Sequence, residues 1–305
     1  MEQDILNEPL VKERSYVKSI STGIRLTLRH PWGFLRHLWP LLLLNAIVWA
    51  VTSGCLSSCL WNFYTEATAV NIAPSSLIAG SFLTCTAWGL LATIMLGVWI
   101  GQIVYLMRRY AELTYLPAVK PWKVWRDILP YVLRGITVSV LGYLVVAALA
   151  VLALFTMPGR MWAFLLFLFL AFVWLLLFVP MAQHYLMEDR SLISALAWPF
   201  KNFTRLGGSS AILVVCGLLV LTVLLVAFIP SVCAIYVGGL SDISVAIGDG
   251  TDIPSSFALL RSVSFALTFV LAPIAWTFLI VPLCFHWGSE EAICKSYIDN
   301  TNKDA

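Results

Sequence analysis

Two stretches of the chain, VPMAQHYLMED at 179–189 and VPLCFHWGSEE at 281–291, repeat a Val-Pro, a His, an aromatic residue and two acids at the same offsets. His184 and Glu188 are four residues apart, as are His286 and Glu290, so each pair shares one face of a helix. Two imidazoles and two carboxylates, with Asp189 and Glu291 beside them, are a donor set that could hold zinc or a similar ion. A structural role competes with that chemistry. At the matching end of an earlier hairpin Val104 stands in place of His, and Arg108 and Arg109 stand in place of the acids. A threefold metal site would be broken there. The substitution favours an ion-pair girdle at the cytoplasmic face, with Arg108 and Arg109 facing Glu188 and Glu290, and no resident metal or cofactor. Pro180 and Pro282 lie about one turn before each His, where a proline kinks a helix and frees carbonyls that neighbours or water must satisfy.

The elements that position these groups are membrane spans. Apolar residues make up 60% of the 305-residue chain and charged ones 11%, against about 45–50% and 25% in soluble domains. Six continuously apolar runs reach the roughly 20 residues that a span needs. They lie near 38–61, 77–107, 136–157, 161–187, 211–237 and 257–287, and none alternates in and out as a barrel strand would. The first is long enough to span and follows a polar, basic segment, so it reads as a membrane helix rather than a secretory signal. Of the 19 Lys and Arg residues, 17 fall on the amino-terminal side of the membrane, leaving Arg160 and Arg261 on the other. Short basic loops stay cytoplasmic. The expectation is a multi-pass protein of the cytoplasmic (inner) membrane with both termini cytoplasmic, its far side acidic through Glu66, Asp242, Asp249 and Asp252. The net charge of +3 then belongs to a membrane surface, and nothing here points to nucleic acid.

Internal repeats organise the spans. PWGFLRHLWP at 31–40 matches PWKVWRDILP at 121–130, and WPFKNFTRLGG from Trp198 occupies the same place ahead of the fifth span. The chain therefore reads as one all-α integral membrane domain over 1–305, six transmembrane helices in three tandem hairpins, with repeats at about 15–110, 111–189 and 190–295. Each hairpin is expected to follow an interfacial amphipathic helix. In the first, Val17, Ile20, Ile24 and Leu28 share an apolar face beside a basic stripe of Arg14, Lys18, Arg25 and Arg29. In the second, Trp122, Trp125, Leu129 and Val132 oppose Lys123, Asp127 and Arg134. Arg25, Arg29, Arg36, Lys123 and Arg126 are the candidate headgroup contacts. They make membrane lipids the expected partners, anionic ones by the chemistry of arginine, with a membrane-protein partner or a second copy of the chain left open.

The stretch at 178–215, FVPMAQHYLMEDRSLISALAWPFKNFTRLGGSSAILVV, resembles the helix-end pattern of a broad group of multi-pass bacterial membrane proteins. That group includes the membrane domain fused to glycerophosphodiester phosphodiesterases. The likeness rests on a Pro near the end of a span, then an acid, Ser, an Ala-Leu pair and a basic amphipathic stretch. It implies a helical membrane module; the soluble phosphodiesterase domain has no counterpart in the chain.

Enzyme signatures fail. EEAICK from Glu290 has Lys where intramembrane prenyl-protein endopeptidases carry Arg, and GGSS at 207–210 precedes no span with a partner His, as a rhomboid protease would require. No nucleophile, base or metal set forms a catalytic constellation. GDGTD at 248–252 reads as a simple turn. The spans hold no charge near mid-bilayer, so Asn45 and Gln102 are their strongest polar groups, expected to bond between helices. Cys55, Cys59, Cys85 and Cys233 lie toward the far ends of their spans, where one disulfide is open to them. Inert thiols are the favoured state of the seven cysteines. The favoured function is a non-enzymatic, lipid-associated or membrane-organising module; the alternative is a small-molecule transporter or channel.

Overall fold

The computed structural model describes residues 9–68, 75–113, 125–156, 161–188, 190–202, 206–248 and 254–303. All regular structure among them is helical: α1 (Tyr16–Arg29), α2 (Pro31–Thr68), α3 (Ser75–Leu113), α4 (Trp125–Thr156), α5 (Met161–Met187), α6 (Leu192–Lys201), α7 (Leu206–Ile247) and α8 (Ser255–Lys303). Six of these, α2, α3, α4, α5, α7 and α8, are long and apolar enough to cross a membrane. Exposed side chains agree with a hydrocarbon solvent, since Phe169 on α5, Leu218, Leu225 and Val226 on α7 and Leu259 on α8 all face outward. In water such a run of large apolar residues would be an aggregation surface.

The helices outrun the apolar segments. α8 has 49 residues, roughly 74 Å at 1.5 Å per residue, about two and a half times a hydrocarbon core. Pro40, Pro130, Pro180 and Pro230 all lie inside helices.

The segments ahead of the spans differ from one another. α1 and α6 are separate helices with matching ends. Ser15 and Ser191 cap their starts, each side chain accepting from the backbone N–H three residues on, while the His30 and Asn202 N–H groups close the last turn on Leu26 and Trp198 carbonyls. A serine at this position satisfies a donor that the first turn leaves unpaired. The stretch from Trp125 has no such break: it is the start of α4 itself, which runs on through Pro130. Trp122 and Lys123 lie outside the described residues, as do Asp189, Arg160, Asp249 and Asp252.

The chain divides into two compact units. The first comprises Met1–Leu38, Leu96–Val220 and Trp276–Ala305. In it α3 and α4 cross with their backbones in contact. A Cβ on Gly97 would fall 2.6 Å from Ile136 Cα, one on Gly101 2.6 Å from Val132 Cα, and Gly135 faces both glycines. Glycines four apart on one face permit this approach. Trp99 of α3, 1% exposed, donates through Nε1 to Thr277 Oγ1 of α8 at 3.2 Å. α1 buries Ser19, Gly23, Leu26 and Thr27, with Gly23 against Pro282.

The second unit comprises Trp39–Met95 and Leu221–Ala275. Its core gathers Trp49, Leu56, Met95 and Phe265, and Trp49 stacks on Phe269 at 3.9 Å. Hydroxyls join helices here: Ser53 meets Ser262 at 3.0 Å, and Thr268 donates to the Ala227 carbonyl at 2.7 Å. Asn45, 4% exposed, turns back to donate to Leu41 O of its own helix instead of reaching a neighbour.

Candidate functional site

The two His-Glu phrases meet in the first unit. At the end of α5, His184 donates through Nδ1 to Glu188 Oε1, as the four-residue spacing requires. Trp287 Nε1 donates to the same oxygen at 3.1 Å, and Arg190 lies against Oε2 as an ion pair. From α8, Glu290 reaches both histidines: Oε2 is 3.6 Å from His184 Nε2 and Oε1 is 3.6 Å from His286 Nε2. The local pairs thus close into one chain running Arg190, Glu188, His184, Glu290, His286.

Neighbouring elements seal the cluster. Trp198 of α6 stacks on the His184 ring, centroids 3.8 Å apart. The start of α7 lies on the other histidine: a Cβ on Gly208 would occupy the His286 ring, so only glycine lets that backbone approach so closely. His286 is 8% exposed and His184 4%. Gln183 Nε2 donates to Leu283 O at 3.2 Å, tying α5 to α8 one turn deeper. Before α1, Arg14 is 7% exposed. Its guanidinium donates to the carbonyls of Pro9, Leu10 and Lys12 and lies 5.3 Å from the Phe285 ring centroid. Its N–H donates to Ser289 Oγ, and that hydroxyl donates back to Arg14 O. The segment ahead of α1 is therefore fastened beside Glu290.

Electrostatics follow from these contacts. Burial alone would raise the Glu188 carboxyl, but the hydrogen bond from His184, the charge of that ring, Trp287 N–H and Arg190 outweigh it and hold the group below its usual range. The rest of the cluster is incompletely satisfied: His286 Nδ1 and Nε2, His184 Nε2, Glu290 Oε2, Gln183 Oε1 and Ser209 Oγ are buried without a hydrogen-bond partner. A buried polar atom so placed costs about 1–3 kcal/mol. Among the described residues, no group of three or more His, Cys, Asp and Glu is arranged to hold a metal ion.

The two arginines expected to face these acids make different contacts. Arg109 pairs with Glu112 at 2.9 Å, one turn along α3. Arg108 meets the end of α5 through the main chain: Nε donates to Met187 O at 3.1 Å, and Nη1 donates to Tyr131 OH at 2.9 Å. Arg134 of α4 donates to Tyr185 O at 3.3 Å. These groups line a second feature, a cleft of about 350 Å³ walled by Tyr105, Arg108, Arg109, Glu112, Asp127, Pro130, Tyr131 and Arg134. Three guanidiniums against two carboxylates leave its ionisable lining at a net +1. Sequence reasoning missed this cleft, because the ring contacts of Arg108 with Tyr131 and of Arg134 with Tyr185, at 5.2 and 5.4 Å, join different helices, whereas four-residue spacing accounts for the Arg109–Tyr105 contact at 5.7 Å. Of the proposed headgroup contacts, Arg25, Arg29, Arg36 and Arg126 are exposed. Arg14, assigned to the basic stripe of α1, precedes that helix and is buried, because its carbonyl cage and Phe285 hold it inward.

No family model, curated protein or solved structure matches the chain.

Proposed function

We propose that the protein is a non-enzymatic, lipid-associated module of the cytoplasmic membrane, organised as three tandem hairpins with both termini cytoplasmic, that holds anionic headgroups at its cytoplasmic face. The observation that carries this is the cleft between α3 and α4, where Arg108, Arg109 and Arg134 stand with Tyr105 and Tyr131 around about 350 Å³ of open space. Guanidinium forks and phenol hydroxyls are the donors that phosphate oxygens select, and a space of this size takes a headgroup.

α1 supports the same reading. Around its axis the buried positions Ser19, Gly23, Leu26 and Thr27 are followed by an apolar arc of Ile20, Ile24, Val17 and Leu28, then by Arg25, Lys18 and Arg29. Val17 is 60% and Leu28 63% exposed. A helix with one face on the protein, one apolar and one basic is at home in the interface, its arginines at phosphate depth. The matching caps of α1 and α6 fit helices that repeat ahead of the first and third hairpins, and the layout resembles the membrane domain linked to glycerophosphodiester phosphodiesterases. Its partners are then membrane lipids, with no nucleic acid.

The test is mass spectrometry of lipids retained after mild detergent purification, on the unaltered protein, on Arg134→Gln, and on the triple variant Arg25→Gln, Arg29→Gln, Arg36→Gln. An anionic lipid retained selectively and lost in Arg134→Gln supports the reading. Equal lipid profiles in all three defeat it. A second reading, a small-molecule transporter or channel, rests on the unpartnered polar atoms around His286, which could line a path. Solute flux in proteoliposomes without lipid enrichment would favour it.

A further inference from the structure

We propose that Cys59 and Cys85 form a disulfide that locks the far end of the first hairpin. Both lie in the second unit, Cys59 on α2 and Cys85 on α3. Cys59 stands nine residues before the end of α2, and Cys85 stands ten after the start of α3. In an antiparallel pair, residues equidistant from the connection face one another, and these do: the two Sγ atoms are 3.2 Å apart. A disulfide needs about 2.05 Å, so roughly an ångström of side-chain movement closes it. Cys85 Sγ also lies 3.7 Å from Cys59 O, which puts the second sulfur beside the first residue's own backbone.

Depth and compartment favour oxidation. Trp61 and Tyr64 follow Cys59 within two turns of α2, and Trp61 meets Tyr64 and Tyr236 of α7 with ring centroids 5.8 and 6.1 Å apart. Aromatic belts mark the membrane-water boundary, so the thiols sit where a water-borne reagent reaches them. α2 leaves the side of the basic amino-terminal segment, which places this boundary on the opposite, extracytoplasmic side, where disulfides form and persist. The inference rests on the orientation proposed above and not on lipid binding.

The chemistry balances through thiol-disulfide exchange with an oxidised disulfide-carrying oxidoreductase. One thiol gives up its proton, and its sulfur attacks the oxidant's disulfide, releasing one thiolate of the oxidant and leaving a mixed disulfide. The second cysteine, deprotonated, then displaces the oxidant's other sulfur. Two protons and two electrons leave the cysteine pair, and the oxidant departs as a dithiol.

The test traps the full chain in native membranes with one alkylating reagent under denaturing conditions, then reduces it and labels with a second, isotopically distinct reagent. Mass spectrometry should find Cys59 and Cys85 carrying the second label and the other five cysteines carrying the first. In Cys59→Ser, Cys85 should move to the first label. First label on both cysteines of the unaltered chain, or a non-reduced peptide joining either to a different cysteine, overturns the proposal. Orientation is measured separately by the accessibility of a cysteine placed at Asn302, so a reduced pair on a far side shown to be extracytoplasmic is a failure of the disulfide alone.

Discussion

His184 Nε2 and Glu290 Oε2 stand 3.6 Å apart, and this approach of α5 to α8 turns two local pairs into one site. Its members are unequal. Glu188 accepts from His184 and Trp287 and pairs with Arg190, whereas Glu290 stands just beyond bonding distance of both rings. Loss of a partner from a buried, hydrogen-bonded charge leaves the other members stranded.

Glu188→Gln should therefore destabilise the protein by about 2–3 kcal/mol, and Glu290→Gln by about 1 kcal/mol or less. Equilibrium unfolding in mixed detergent micelles measures both. Equal costs, or a larger one for Glu290→Gln, would show that the bridge between helices matters more than the local pair.

Acid should abolish the difference. The Glu188 carboxyl titrates below its ordinary 4.5 in the folded protein, so the folded state favours its charged form. That stability is fully present above the unfolded value and is lost as pH falls through the folded one. The gap between unaltered protein and Glu188→Gln should shrink as pH falls below 4.5. A gap that widens as pH falls below 4.5 would mean the carboxyl is held protonated in the fold.

What the sequence made legible follows the reach of periodicity. Apolar run length marked all six spanning helices, and four-residue spacing brought His184 to Glu188. It could not show which groups lie across from them. Arg109 chose Glu112, three residues along its own helix, since a short local pair leaves the long side chain exposed and hydrated while the distant acids are met by histidines. Arg14 read as one of a helical stripe only because the start of α1 was invisible. Once Ser15 caps that helix, Arg14 belongs to the preceding segment and turns inward. The α3–α4 crossing did carry a signal, glycines at 97 and 101, that a search for chemistry passed over.

Orientation is open to direct measurement. With 17 of the 19 basic residues on the amino-terminal side, a cysteine at Asn7 or Asn302 in a cysteine-free background should resist a membrane-impermeant maleimide in intact cells and react after permeabilisation. Labelling of either in intact cells would reverse the topology.

The glycine crossing should be the least tolerant point in the first unit. Because a Cβ on Gly101 would fall 2.6 Å from Val132 Cα and one on Gly97 2.6 Å from Ile136 Cα, even alanine forces the two backbones apart. No side-chain rotation relieves a contact between main chains. Gly101→Ala should cost about 1–3 kcal/mol, the range of overpacking in a close-packed interior, and Gly101→Leu should prevent recovery of folded protein. Gly207→Ala, whose Cβ meets nothing within 4 Å, is the control and should unfold with the unaltered chain. Thermal unfolding in detergent separates the three. If Gly101→Ala unfolds with the control, α3 and α4 do not touch through their backbones, and the cleft of Arg108 and Arg134 that hangs from this crossing loses its frame.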